Sequence, residues 1–495
     1  MLFLWSQNLG ETNPSQVLLP FLAIVFGAAL VTIVLGLVFR DRRRGALVAT
    51  PLVVGLLMYG HAHHLLVTVH VPTFVQQAGW VALVVVAVIA AIRLDARRIA
   101  TIDWALDRIG AILVLVTLVL IIPFQVIAVM NRAPIAQFQP TGTTTTAAKR
   151  DVYWFIFDRY GSERALQLQY GIDNDLPEWL DAHGFTVLED SHANYIRTVL
   201  SIATTVQMQH LETIAQAQGD RSEDITTVNE MLQDPPVARQ FKALGYRYDH
   251  IGSAFDPTRT DRGADMNYTV PSPPGTGDFE DAIVDTSAVP ALLKRQRLPE
   301  ADRLRQYDFS TYALDAVTKL RDEPGPKFVM THVLLPHPPT VFDVDGSFIG
   351  DAKAAKLGGH EMYRRQLAYT NARIEAILTG LQTLPEDRRP IVILQADEGP
   401  WPTSYGTGRH TDDWAADASE KELEQKYGIL NAWYVPGGED LGLSPSMTAI
   451  NTFPTLFSRY FGLDYQLLPE RIYSSSDWSH PYDVNDITDR LPSLR

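Results

Sequence analysis

The chain opens on a long apolar run. Val17 to Phe39 carries no charged residue and is dominated by Leu, Val, Ile and Phe. At 1.5 Å per residue that length crosses about 30 Å of hydrocarbon as one helix. The basic cluster Arg40–Arg44 follows, and then Gly45 to Ile92 holds no Asp, Glu, Lys or Arg. So long an uncharged stretch has to fold back once, and Pro72, Gln76 and Gln77 mark the break. The pattern predicts four membrane helices near residues 17–39, 45–68, 75–92 and 109–130. A secretory signal peptide fits poorly, because residues 1–16 lack a basic segment and further apolar runs follow.

Beyond residue 150 the period changes. DVYWFIFD is a short apolar run bounded by charge, and the helix-compatible SERALQLQYG follows at once. Similar runs recur at Phe185–Leu188, Tyr246–Ile251, Lys327–Leu335, Pro390–Ala396 and Ala432–Val435, separated by helical stretches such as Glu361–Leu384. Strands alternating with helices predict an α/β domain with a mainly parallel sheet covered on both faces. The organisation expected is a transmembrane region over residues 1–130, a Thr- and Pro-containing linker over 131–150, and the α/β domain over 151–495.

Charge separates the two parts. Residues 1–150 hold 11 Lys+Arg against 5 Asp+Glu, and the remainder 31 against 52. The acidic part argues against nucleic acid as a partner, since non-specific binding needs basic patches. Arg40–Arg44 and Arg93–Arg108 hold eight Arg between them, whereas the start of the chain and the turn near residue 75 hold none. Both basic segments are therefore expected in the cytoplasm, with the α/β domain extracytoplasmic on a multi-pass membrane protein. The chain has no Cys, which excludes disulfides, thiolate metal sites and Cys nucleophiles.

In parallel sheets, ligands sit outside the carboxyl ends of the strands. Asp158 follows the first strand, Asp397 and Glu398 follow Pro390–Ala396, and His332 and His337 lie in and after Lys327–Leu335. Adjacent acids behind an apolar strand are costly unless solvated, hydrogen-bonded or bound to a cation. In NYIRTVLSIATTVQMQHL the apolar spacing starts a helix near Arg197 or Thr198. Thr198 then sits in a first turn whose free N–H groups attract an anion. An N-cap is the ordinary fate of such a Thr, and Ser201 is a competing hydroxyl. His410 and His480 are weaker candidates, because neither directly follows a strand.

DVYWFIFDRYGS, NYIRTVLSIATT, THVLLPHPPTVFD, ILQADEGP and the late runs ILNAWYVPG and INTFPTLFSRYFG together resemble the membrane-anchored, sulfatase-like branch of the alkaline phosphatase superfamily. That branch is similar to lipoteichoic acid synthases and other phosphoglycerol transferases. The resemblance implies Asp158 as the first metal-binding acid, Thr198 as nucleophile and metal neighbour, and Asp397 as the Asp of an Asp-His-Gly motif. Glu398 stands in the His position of that motif. The Cys/Ser-x-Pro-x-Arg nucleophile motif of arylsulfatases has no match, since Ser272 and Ser479 lack the Arg.

With Asp158, Thr198, Asp397 and Glu398 as metal ligands the set is all oxygen, which favours Mn²⁺, Mg²⁺ or Ca²⁺ over Zn²⁺. Thr198 and His337 are the expected catalytic residues, His337 contacting the phosphate or protonating the leaving group. The function expected is metal-dependent hydrolysis or transfer of phosphate esters on a phosphorylated lipid or envelope glycan at the outer membrane face. The competing reading is a catalytically silent sulfatase-like domain that binds or scaffolds, with Glu398 marking lost metal chemistry.

Overall fold

The computed structural model of the chain describes residues 1–69, 71–130, 139–271, 278–292, 301–406, 413–475 and 479–491. Two compact units emerge, one of Met1–Met130 with Ser272–Pro299 and the other of Asn131–Pro271 with Glu300–Arg495.

The first unit is built on four helices, Pro14–Phe39, Arg42–Thr68, Thr73–Arg93 and Ala96–Met130. All four are long and apolar enough to cross a membrane. Phe26, Leu37, Leu113 and Val129 stand exposed on them, a surface that water disfavours and hydrocarbon accepts. Asn13 caps the first helix by accepting from Ser15 N, with Pro14 at its first turn. The fourth helix starts thirteen residues earlier than the apolar pattern predicts. Asp95 accepts from the N–H groups of Arg97 and Arg98, at 3.1 and 3.0 Å, and so caps a helical start within the charged stretch. Arg44 donates to the carbonyls of Ile92 and Leu94, both at 3.0 Å, which ties the two basic segments together.

Residues 278–292 belong to this helical unit, an excursion the sequence pattern does not announce. Gly60 N donates to the Thr286 carbonyl at 2.9 Å, and Ala288 N to the Leu56 carbonyl at 2.6 Å. A Cβ on Gly60 would lie 2.1 Å from the Asp285 carbonyl oxygen, so only glycine allows this approach. Gly60→Leu is expected to expel residues 278–292 from the helix surface. Limited proteolysis of the full-length protein should then cut that segment faster than in the parent, and equal rates would refute the packing role.

The second unit carries a seven-stranded sheet of β1 (Val152–Phe157), β2 (Thr186–Val187), β3 (Arg247–Ile251), β4 (Met266–Tyr268), β5 (Lys327–Val333), β6 (Ile391–Ala396) and β7 (Asn431–Tyr434). Their order is β2-β7-β6-β1-β5-β3-β4. From β6 to β4 all neighbours are parallel, while β7 runs antiparallel to β6 and β2 antiparallel to β7. All six residues of β1 are buried. Val152, Trp154 and Ile156 enter one core and Tyr153, Phe155 and Phe157 the other, which is why a central parallel strand reads as an unbroken apolar run. The first core takes Val199, Ile202 and Val206 of the Thr198–Gln207 helix together with Phe453, Phe457 and Phe461. The second takes residues of the helices Ala301–Leu320 and Gly359–Gln382.

Of residues 131–150, 131–138 lie outside the described residues, and much of the remainder is tied to the α/β unit. Thr141 N donates to Gln240 Oε1, Thr145 Oγ1 to the Phe461 carbonyl and Lys149 Nζ to the Leu244 carbonyl. Polar Thr and Lys side chains that look like spacer in sequence here satisfy carbonyls left open at element ends.

Candidate active site

The parallel register brings the ends of β1, β5 and β6 side by side, with Ile156 level with His332 and Gln395. Asp158 and Asp397 therefore emerge next to each other, and the β5 side chain of His332 joins them. One ligand atom each from Asp158, His332 and Asp397 lies within 4.8 Å of the others. All three side chains are buried. Asp158 Oδ1, Asp397 Oδ2 and His332 Nε2 nevertheless have no hydrogen-bond partner among the described residues. Buried lone pairs left open are costly, and a divalent cation is the group that would satisfy all three together.

Electrostatics agree with that fit. Burial, and then the Asp397 charge, push Asp158 well above the carboxylate range. Burial and the adjacent Glu398 raise Asp397 to about 7. Two carboxylates this close and this dry resist sharing negative charge without a counter-ion. Burial and then the nearby His250 lower His332 to about 3, so its imidazole is neutral, the form that ligates metals. Its Nδ1 contacts the Thr258 hydroxyl at 2.7 Å, which fixes the ring.

Glu398 has different partners from the metal expected of it. Oε1 accepts from Arg159 Nε at 3.0 Å and Trp401 Nε1 at 2.8 Å, and Oε2 accepts from Lys426 Nζ. Burial raises its pKa, but Lys426 and Arg159 outweigh burial and hold the carboxyl below its ordinary value. A carboxylate so engaged has its charge already compensated. Within the described residues, the acid–imidazole group that can hold a metal contains His332 in its place. That group offers two carboxylate oxygens and one imidazole nitrogen as donors.

Thr198 begins its helix as expected, behind Arg197, with no side-chain cap on the first-turn donors. Its hydroxyl lies against Asp397 and lowers that carboxyl's pKa. Oδ2 of Asp397 has no hydrogen-bond partner among the described residues. Thr198 is partly exposed whereas Ser201 is only 2% exposed, and a nucleophile has to be reachable.

His337 comes off the end of β5, its carbonyl held by Gln306 Nε2 at 2.7 Å and Gln366 Nε2 at 3.0 Å. The residue as a whole is partly exposed, yet its Nδ1 is buried and without a partner among the described residues. Burial and then the Arg159 charge keep its pKa well below the ordinary value. His480 stands 4.0 Å from Glu223, and His410 lies outside the described residues. The groups that sequence reasoning missed are Arg159 and Lys426. Arg159 adjoins Asp158 and was open to notice, whereas nothing local distinguishes Lys426 from any helix lysine.

The chain thus combines four membrane-length apolar helices with an α/β unit whose strand ends gather an acid–imidazole group beside a helix-start hydroxyl. No protein-family model and no curated protein matches it. Among solved structures it is similar to the C-terminal periplasmic domain of EcEptC from Escherichia coli, at 15% identity and a TM-score of 0.46 over 73% of this chain and 97% of that one. It is also similar to a protein in the alkaline phosphatase superfamily from Vibrio parahaemolyticus, at 14% identity and a TM-score of 0.40 over 71% and 81% of the two chains. The soluble domain of lipooligosaccharide phosphoethanolamine transferase A from Neisseria meningitidis matches at 11% identity and a TM-score of 0.36, over 72% and 93%. At this distance function has to be argued from the site itself.

Proposed function

We propose that the protein is a metal-dependent hydrolase or transferase of phosphate esters, acting on a phosphorylated lipid or envelope glycan at the outer face of the membrane. The observation that carries this reading is the reachable Thr198 hydroxyl set against Asp397, beside three buried ligand atoms without partners. Asp158, His332 and Asp397 would hold a divalent ion, with Thr198 adjoining it. Because an imidazole belongs to the set, Mn²⁺ and Zn²⁺ suit it better than Mg²⁺ or Ca²⁺. Such an ion neutralises phosphoryl charge and favours the ionised form of a nearby hydroxyl.

The chain's own residues then have distinct tasks. Thr198 Oγ1 loses its proton to solvent and attacks phosphorus as the bond to the ester oxygen breaks, that oxygen leaving as an alcohol protonated from solvent and the phosphoryl group remaining on Thr198. The uncapped N–H groups of its helix receive phosphoryl oxygens. His337, held neutral, serves better as a hydrogen-bonding contact to the phosphoryl group than as its proton donor. Water or an acceptor alcohol attacks the phosphothreonine and restores Thr198, and which of them arrives separates hydrolase from transferase. The four membrane-length helices favour a lipid-linked substrate, because they tether the chain to the bilayer.

The test is turnover by the purified full-length protein in detergent, with Mn²⁺, Zn²⁺, Mg²⁺ or Ca²⁺, on chromogenic phosphomonoesters, phosphodiesters and sulfate esters. Turnover of a phosphate ester is expected. A metal-loaded protein that turns over none would support the silent binding domain instead. For topology, a reporter fused after residue 150 should be active only outside the cytoplasm, on the Arg distribution of residues 40–44 and 93–108. Activity confined to the cytoplasm would invert the orientation.

A further inference from the structure

Arg159 stands at this site with most of its donors unspent. It directly follows Asp158, and its backbone is left-handed, with φ at 60°. Residues other than glycine seldom adopt that conformation, which persists where surrounding contacts enforce it. Two such contacts are present. Arg159 N donates to Asp397 Oδ1 at 3.2 Å, and the Tyr363 hydroxyl donates to the Arg159 carbonyl at 2.8 Å.

The side chain is fixed as firmly. Its guanidinium lies 3.5 Å over the Trp401 ring, and Nε donates to Glu398 Oε1 at 3.0 Å. Trp401 Nε1 bonds the same oxygen at 2.8 Å. One face and one edge of the guanidinium are thereby occupied. No acceptor among the described residues takes a hydrogen bond from Nη1 or Nη2. Glu398 is shared with Lys426, so one carboxylate faces two cations and a positive charge is left over.

We infer that Arg159 is the anion clamp of the site, its open Nη edge receiving two oxygens of the phosphoryl group, with Glu398 and Trp401 as the positioning residues that aim it. A planar guanidinium pre-set in one orientation suits bidentate phosphate recognition, which a lysine cannot reproduce. Glu398 then has a task in this chain that needs no metal. This inference rests on the phosphoryl reading proposed above, and the experiment separates the two.

Inorganic phosphate is titrated by calorimetry into the full-length, Mn²⁺-saturated protein in detergent, with Mn²⁺ affinity measured separately for each variant. Arg159→Met is expected to weaken phosphate roughly 10- to 100-fold, the range for losing charge-assisted hydrogen bonds, while Mn²⁺ binding changes by less than about twofold. Arg159→Lys should recover only part of the loss, because it restores charge without the fork. If Arg159→Met does not fold, Trp401→Leu keeps both cations but frees the guanidinium, and it should weaken phosphate in the same direction with Mn²⁺ binding retained. Unchanged phosphate affinity in the folded variants would overturn the clamp and leave the phosphoryl reading standing. Loss of Mn²⁺ affinity in parallel would make Arg159 a support for Asp158 and Asp397, and would also overturn it. A Mn²⁺-loaded parent that binds no phosphate would overturn clamp and phosphoryl reading together.

Discussion

Thr198→Ala is expected to reduce turnover of any accepted phosphate ester by roughly 10⁴-fold or more, the scale of losing a nucleophile that acts with its neighbours as a unit. The change deletes one hydroxyl and one methyl from a partly exposed position at the start of its helix. Arg197, not Thr198, is the N-cap residue, and it makes no side-chain cap, so the fold loses little. Divalent-metal binding should survive in large part, because Asp158, His332 and Asp397 remain. Ser201→Ala provides the contrast. Ser201 is 2% exposed, and removing its hydroxyl should have far less effect on turnover. Mass spectrometry of the peptide containing both residues after quenched turnover should place phosphate on Thr198. Full activity in Thr198→Ala, or a label on Ser201, would reassign the nucleophile.

Metal binding and its coupling to pH should show the other large effect. Asp397→Asn and Asp158→Asn each remove a charged ligand from a set of three, and Mn²⁺ binding by calorimetry should become undetectable in either. At 100 times its dissociation constant, a bound ion stabilises the parent by about 2.7 kcal/mol, a gain both variants should lack. The metal-free parent should also respond to pH in a definite direction. Asp397 is raised from its ordinary value of 3.8 to about 7 by burial and by Glu398, and Asp158 is raised by burial and Asp397. The folded state therefore holds protons that the unfolded state has released. Stability from these groups is greatest below pH about 4, falls as pH rises through about 7, and stays low above it. The melting temperature of metal-free parent should drop across that window, with a smaller drop in Asp397→Asn, and added Mn²⁺ should restore stability at pH 8. A parent that melts identically at pH 5 and pH 8 without metal would contradict the burial of these charges.

Much of the architecture was legible because it follows from local pattern. A strand buried on both faces has no polar position to spare, so DVYWFIFD stands out as β1, and the acid after it marks a strand end. The same reasoning located β3, β5, β6 and β7 to within a residue or two. β4, only Met266–Tyr268 and mostly exposed, has no apolar run to betray it. The charged start of the Ala96–Met130 helix was missed for a related reason. Hydropathy reports where hydrocarbon begins, whereas helix propensity and the Asp95 cap decide where the helix begins.

The sequence by itself determined the apolar helices, the α/β alternation, the separation of charge and the presence of Asp158, Thr198 and Asp397 at element ends. Periodicity and strand-end position are properties of neighbouring residues, so one chain read in order suffices for them. Only the tertiary structure decided what each side chain faces. Register across the β1–β5 pair brings His332 to Asp158 although their numbers differ by 174, with His332 Nε2 3.8 Å from Asp158 Oδ2. Glu398 finds Arg159 239 residues away and Lys426 28 residues away. A buried carboxylate takes whichever cation the fold delivers, and that delivery depends on strand order and helix packing, which no local pattern encodes.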